Sequence, residues 1–341
     1  MLTLAEMRRM TGIVMPVWYS KDTPESQMED VLAPCLVDVG AFARPECVVV
    51  VIDGAPWVVP VVQRLQKRLG GFEFIAKDRN EGKGGSILCG IQRLLANASV
   101  EFIVARDHDN DHLINDALSV VNLAARMRAA LGHDRVVGIG RRVSVHRHLG
   151  FVRGEFEWLT NEVCYEATKF ALAREGKTVN TQFFAAYENV PDMQTGFKCY
   201  TRATAKLLVD ALQDAGQLTP GIDVLRNGAE VPVIVETLLR GGVIGEITRS
   251  AWENQPLTTF DLAGRVHVKG TVLTWALRRT DVPLNVARQL LLNAIARRVI
   301  AKEERGFADV LALCNWALEK LSAFRGQRIE PIRSVDLAEY F

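Results

Sequence analysis

Between residues 12 and 107 the chain alternates short β-branched runs with longer stretches of helical composition, and few folds accommodate that rhythm. Gly12–Tyr19, Cys47–Asp53, Phe72–Ala76 and Glu101–Asp107 read as strands, bracketed by Asp, Gly and Pro. Ser26–Phe42, Pro56–Leu69 and Gly84–Ala98 read as the helices between them. The expected architecture is α/β and Rossmann-like, a mostly parallel sheet flanked by helices with right-handed crossovers. In such sheets ligands bind beyond the carboxyl ends of the strands. Those ends carry Tyr19-Ser20, Asp53-Gly54, Lys77 through Gly85, and Asp107 through Asp111, so four loops should meet at one crevice.

Farther on, the pattern predicts a helix over Asn115–Leu131, a strand over Val136–Ile139, and an irregular insertion or lid from Arg141 to Asn189. Thr195–Thr201 and Val243–Thr248 read as strands, Arg202–Gln213 and Val231–Arg240 as helices. From Pro283 the chain turns helical, with Leu311, Cys314, Leu318 and Leu321 on one stripe. A domain over residues 1–270 is expected, its halves meeting near 112, followed by a helical extension over 281–341 that could pair two copies into a homodimer.

With 41 Lys and Arg against 40 Asp and Glu, the formal charge of +1 gives no global reason to bind nucleic acid or an anionic membrane. No apolar run reaches the ~20 residues that span a bilayer. The opening MLTLAEMRRMTGIVMPVWY, broken by Pro16, reads as a buried strand rather than a signal peptide. Six scattered cysteines without a CxxC pair fit free thiols in a reducing cytoplasm.

Three strings could carry chemistry. In Asp107-His108-Asp109-Asn110-Asp111 the carboxylates alternate, so in an extended turn they project to one side and repel unless a hard divalent cation compensates them. His112 and Leu118 stand where an EF-hand needs glycine and glutamate, which excludes that motif; a helix N-cap cluster is the other explanation. Arg79-Asn80-Glu81-Gly82-Lys83-Gly84-Gly85 ends a strand and opens a helix, which suits a phosphate, although it is neither a Walker A loop nor GxGxxG and could be a tight turn. Asp53-Gly54 could accept a hydrogen bond from a base or ribose, or cap the next helix.

Taken in order, an opening strand with Pro16, the Asp53-Gly54 strand end, the glycine-rich loop and the Asp107-x-Asp109 string resemble the nucleotide-sugar glycosyltransferases of the GT-A fold. Asp192-Met193-Gln194-Thr195-Gly196-Phe197-Lys198 with Thr201-Arg202-Ala203 is similar to a stretch of the dolichyl-phosphate glucosyl- and mannosyltransferases. Gly82-Lys83-Gly84 is similar to the loop of glucosyl-phosphoglycerate and mannosylglycerate synthases. The usual second-strand ending DDGS is shortened to Ile52-Asp53-Gly54-Ala55.

The resemblance implies a metal-dependent hexosyltransferase that uses a nucleoside diphosphate sugar, Mn2+ or Mg2+, and a soluble acceptor. Donor contacts would come from Pro16, Asp53, Arg79, Asn80, Gly82, Lys83, Gly84, Asp107, Gly196 and Lys198. Metal ligands would be Asp107 and Asp109, with Asp111 and a late histidine, His267, as candidates. His146 and His148 are spaced like a metal pair, but their arginine neighbours favour a basic acceptor loop. An inverting reaction needs a base, for which Glu236, Asp192 and Asp223 are candidates. Other acceptors would be a polyprenyl phosphate, met through an interfacial Pro283–Arg305 segment, or a modified nucleic-acid base met by Arg141–His148 and Arg325–Arg333. A sugar-phosphate nucleotidyltransferase is the alternative chemistry, though Trp18-Tyr19-Ser20-Lys21-Asp22 lacks the glycine loop such enzymes place after the first strand.

Overall fold

The computed structural model describes residues 1–146, 150–185, 190–250, 264–298 and 304–337. Helix α1 (Leu4–Met10) opens the chain under a capping box in which Thr3 and Glu6 satisfy each other's backbone amides, so the first strand begins only at residue 11. The first half then runs β1 (Thr11–Val17), α2 (Glu25–Leu36), α3 (Val39–Phe42), β2 (Val48–Ile52), α4 (Val59–Leu69), β3 (Glu73–Ala76), α5 (Gly82–Leu95), β4 (Phe102–Ala105), α6 (Asp116–Leu131) and β5 (Val136–Arg141). The second half follows as α7 (Phe151–Arg174), β6 (Lys198–Thr201), α8 (Arg202–Leu218), α9 (Val224–Asn227), α10 (Glu230–Leu239), β7 (Val243–Thr248), α11 (Arg265–Arg279), α12 (Leu284–Ala296) and α13 (Glu304–Arg325).

One seven-stranded sheet of order β3-β2-β1-β4-β6-β5-β7 forms the centre. Strand β6 runs antiparallel to both neighbours and the remaining pairings are parallel, giving the expected mostly parallel α/β sheet. Strands β1, β2 and β4 are buried on both faces, which is why they read as unbroken apolar runs rather than alternating ones. Pro16 is tolerated in β1 because the pairing with β4 ends at Val14, so no ladder bond on that side requires its missing N–H.

The main departure from expectation is α7, which occupies 24 residues of the stretch anticipated as an irregular lid. Its buried face carries Glu155, Glu157, Asn161 and Glu162 beside Phe156, Leu159 and Val163, so the apolar stripe that would have revealed a helix is interrupted by buried charges. The expected helix over 26–42 is two helices, broken where Asp38 adopts a left-handed conformation (φ 63°). Helix α11 spans the anticipated boundary at 270 and packs on both α7 and α13. Cys314, Leu318 and Leu321 of the C-terminal stripe are buried within the protein itself, as are Leu291, Leu292 and Ile295 of the segment considered for a membrane surface. Among the described residues no helix is long and apolar enough to cross a membrane.

Candidate functional site

The carboxyl ends of β1, β2 and β4 open into a cleft of about 590 Å3, lined by residues from β1 to α11. Asp53, Gly82, Lys83, Asp107, Asp109 and Glu230 all border it.

Asp53 is buried (3% exposed) and its carboxylate is occupied. Oδ1 accepts the Glu81 N–H at 2.9 Å and the Lys77 ammonium at 3.2 Å, and Oδ2 accepts the Gly82 N–H at 2.8 Å. The aspartate therefore caps the amino end of α5, not the helix that follows it in sequence. The glycine run serves close packing. Gly54 has φ +62°, and a Cβ there would lie 2.1 Å from the Asn80 nitrogen. At Gly82 (φ +83°) and Gly84 added carbons would meet Arg226 and Leu225 of α9 at 2.3 and 2.5 Å. The expectation of a phosphate cradle is corrected in part, because the Gly82 amide is already taken by Asp53 and by Asn80 Oδ1.

Lys83 reaches into the cleft. Its Nζ lies 2.7 Å from Asp107 Oδ1 and 2.7 Å from Glu230 Oε1, one ammonium between two carboxylates. Burial works against its charge, yet Asp107 and Glu230 hold it above the usual ammonium range. Burial likewise opposes the Asp107 charge, and Lys83 overrides it to leave that carboxyl below its ordinary value.

The three alternating aspartates all border the cleft but differ in state. Asp111 is engaged by Arg249, whose Nη2 lies 2.8 Å from Oδ2 and whose Nη1 donates to the Asp111 carbonyl at 3.0 Å. Asp109 accepts the Asp111 N–H at 3.2 Å, and burial followed by the Asp107 charge pushes its carboxyl up. His112 Nδ1 accepts the Asp107 N–H at 2.8 Å, which puts the ring proton on Nε2, 3.6 Å from Asp111 Oδ2. Burial and then Arg249 keep this ring neutral. Arg106 donates to the carbonyls of Cys35 and His112 and pins the loop from beneath. Among the described residues no group of three or more His, Cys, Asp and Glu side chains is arranged to hold a metal. Asp107 and Asp109 nevertheless offer hard oxygen donors of the kind Mg2+ and Mn2+ take.

Arg142, Arg153, Glu157, Gln194 and Lys269 also line the cleft, in a network that the sequence indicated only in part. Arg142 binds Asp192 at 2.6 Å and Glu157 at 2.8 Å. Glu157 also meets Lys269 at 3.1 Å and Arg153 at 3.4 Å, and Gln194 Nε2 donates to the Glu157 carbonyl at 3.0 Å. Burial would raise the Glu157 carboxyl, but Lys269 and Arg142 hold it far below the usual range. Gln194 belongs to the Asp192–Lys198 motif, whereas the meeting of Glu157 with Lys269 has no local signal.

Several anticipated residues stand elsewhere. Glu236 is buried in α10, with Arg279 Nη2 at 2.9 Å and Arg240 Nε at 3.2 Å from Oε2, and does not border the cleft. Asp223 caps α9 by accepting the Arg226 N–H at 2.9 Å, while Asp192 sits behind Arg142. His267 lies on an exposed face of α11, edge-on to Trp316 at 5.6 Å, and α11 presents Val268 and Lys269 to the cleft instead. The Arg79 side chain is 84% exposed and paired with Glu81. Lys198 is wholly buried and donates to the Thr195 carbonyl. Pro16, Asn80 and Gly196 do border the cleft; a Cβ on Gly196 would come 2.5 Å from Asp107 Oδ2, so glycine there gives Asp107 its room. His146 pairs with Glu155 at 2.6 Å, and His148 falls outside the described residues.

No protein family matches the sequence, nor does any curated protein. Solved structures overlap it loosely. The 1–349 portion of TarS from S. aureus gives a TM-score of 0.39 at 14% identity, covering 94% of this chain and 93% of that one. The same portion in complex with UDP-GlcNAc gives 0.38 at 12%, with 94% and 93% covered. A 4-diphosphocytidyl-2C-methyl-D-erythritol synthase from Anaerococcus prevotii gives 0.40 at 10%, covering 78% of this chain and 97% of that one.

Proposed function

We propose that the chain is a nucleotide-sugar glycosyltransferase of the GT-A type, transferring a sugar from a nucleoside diphosphate donor to the hydroxyl of a water-soluble acceptor. The observation that carries this reading is the convergence of three strand-end loops on one cleft: Asp53-Gly54 after β2, Gly82-Lys83 after β3, and Asp107 to Asp109 after β4. Their order along the sequence is that of the resembling enzymes.

In this reading Asp107 and Asp109 hold a divalent cation, which when bound supplies positive charge to the departing diphosphate. Lys83 adds a fixed ammonium beside the same group, already charged and oriented before substrate arrives. Trp18, Tyr19 and Val31 are apolar side chains in the cleft lining and suit a flat base. The linked side chains of Arg142, Arg153, Glu157, Gln194 and Lys269 also line the cleft and suit a polar acceptor, being already locked to one another.

The test is thermal stabilisation by a panel of nucleoside diphosphate sugars with and without Mn2+, followed by product analysis. One donor should raise the melting temperature in a metal-dependent way, and incubation with an acceptor should release the nucleoside diphosphate. Stabilisation by a nucleoside triphosphate with a sugar phosphate, and release of pyrophosphate, would instead indicate a nucleotidyltransferase.

A further inference from the structure

Asp111 and Arg249 form an ion pair whose side chains are only 6% and 1% exposed. Besides the contact of Nη2 with Asp111 Oδ2, Nη1 donates to the Asp111 carbonyl at 3.0 Å and to the Ser250 carbonyl at 2.9 Å. The backbone that carries the guanidinium is itself fixed. The Arg249 N–H donates to the Arg141 carbonyl at the end of β5 at 3.0 Å, and the Ser250 N–H to Asp116 Oδ2 at the start of α6 at 2.8 Å. Well-packed apolar side chains would fill such a position without the desolvation of two charges, so packing alone does not account for the pair. Between Asp109 and Asp111 the chain turns through Asn110 at φ +64°, a left-handed conformation that ends the extended course needed for three carboxylates to project together. Asp111 accordingly meets Arg249 and His112, whereas Asp107 meets Lys83.

Resting on the glycosyltransferase reading, we propose that Arg249 is the positioning residue of the cation site: it holds Asp111 as an anchor rather than a ligand and, through Asp111, sets the carboxylate of Asp109. The connection is short. Arg249 grips both the carboxylate and the carbonyl of Asp111, and the Asp111 N–H donates to Asp109 Oδ1 at 3.2 Å. Arg106 holds the following residue through the His112 carbonyl, so two arginines clamp the far half of the loop while Asp107 and Asp109 border the cleft. Asp109 thus meets a cation in an orientation fixed before binding, which is what partners behind a ligand contribute to metal affinity. The Asp111 charge is meanwhile compensated by Arg249 instead of joining the donor set. Two protein carboxylates, rather than three, suit a Mg2+ or Mn2+ ion that must also accept diphosphate oxygens and water.

The experiment titrates the full chain with Mn2+ alone, followed by electron paramagnetic resonance, with a thermal melt of each variant to establish folding. Asp109→Asn should lose Mn2+ affinity, whereas Asp111→Asn, which keeps the N–H, the carbonyl and an oxygen for Arg249, should stay within about threefold of wild type. Adding Arg249→Met to Asp111→Asn removes the grip without freeing a carboxylate, and should weaken Mn2+ a further 10-fold or so, the scale of losing a partner behind a ligand. A merely structural tie would lower the melting temperature of that double variant and leave the Mn2+ affinity of the folded protein unchanged. Should the double variant not fold, Arg249→Lys serves, since it keeps the charge and loses the two-pronged grip; it should weaken Mn2+ by about threefold to 10-fold. Asp111→Asn as damaging to Mn2+ binding as Asp109→Asn, or unaltered affinity on loss of Arg249, would overturn the positioning role and leave the metal-dependent reading standing. A wild type that binds no Mn2+ would overturn both.

Discussion

Asp53 Oδ2 accepts the backbone N–H of Gly82 at 2.8 Å, tying the end of β2 to the first turn of α5. With Oδ1 on the Glu81 amide, this one carboxylate sets the position of the loop that carries Lys83. Asp53→Ala should therefore lower stability by about 2–4 kcal/mol, because two amides and the Lys77 ammonium lose a buried partner together. Nucleotide affinity should fall in parallel. Denaturant unfolding and calorimetry on the same preparation check this; an unchanged unfolding midpoint with nucleotide binding weakened alone would place Asp53 on the nucleoside instead.

Asp109→Asn addresses the metal. Asn keeps the shape and the Oδ1 that accepts the Asp111 N–H, so the variant should fold like the wild type. Turnover should drop by at least about 100-fold, since a divalent ion supplies several kcal/mol of charge stabilisation. Stimulation by Mn2+ should vanish with it. Wild-type turnover in the presence of a chelator would remove the metal from the reaction.

Glu236 is expected to matter for stability rather than rate. Glu236→Gln leaves Arg279 and Arg240 without their charge partner and should cost about 1–3 kcal/mol in unfolding free energy. Its turnover should stay within a few-fold of wild type. A loss of turnover by two orders of magnitude with an intact melting temperature would restore Glu236 as a base.

Lys198 gives a pH signature. Burial lowers its ammonium from 10.5 to about 8, beyond what Glu230 and Asp192 restore. Between those two values the unfolded chain holds a proton that the folded protein has released. Folding is therefore penalised below about pH 8, and the penalty fades as pH rises toward 10.5. Against Lys198→Met, which does not titrate, wild type should gain about 3 kcal/mol of relative stability between pH 7 and pH 10.5. Urea midpoints measured across that range decide it, and a constant difference would contradict the lowered value.

Local sequence was enough to determine the strand-helix alternation of the first half and the loops that would meet. β-Branched runs buried on both faces and the turn residues after them are properties of contiguous segments, so β1, β2, β4 and the positions of Asp53, Lys83 and Asp107 were legible. Helix α7 was not, because Glu155, Glu157 and Glu162 break its apolar pattern and are acceptable inside only once cations from other elements reach them. The partner of a buried charge is chosen by three-dimensional proximity, which no spacing along the chain encodes. Tertiary structure alone therefore set Lys269 against Glu157, placed Glu230 rather than Glu236 at the cleft, and turned His267 outward to Trp316.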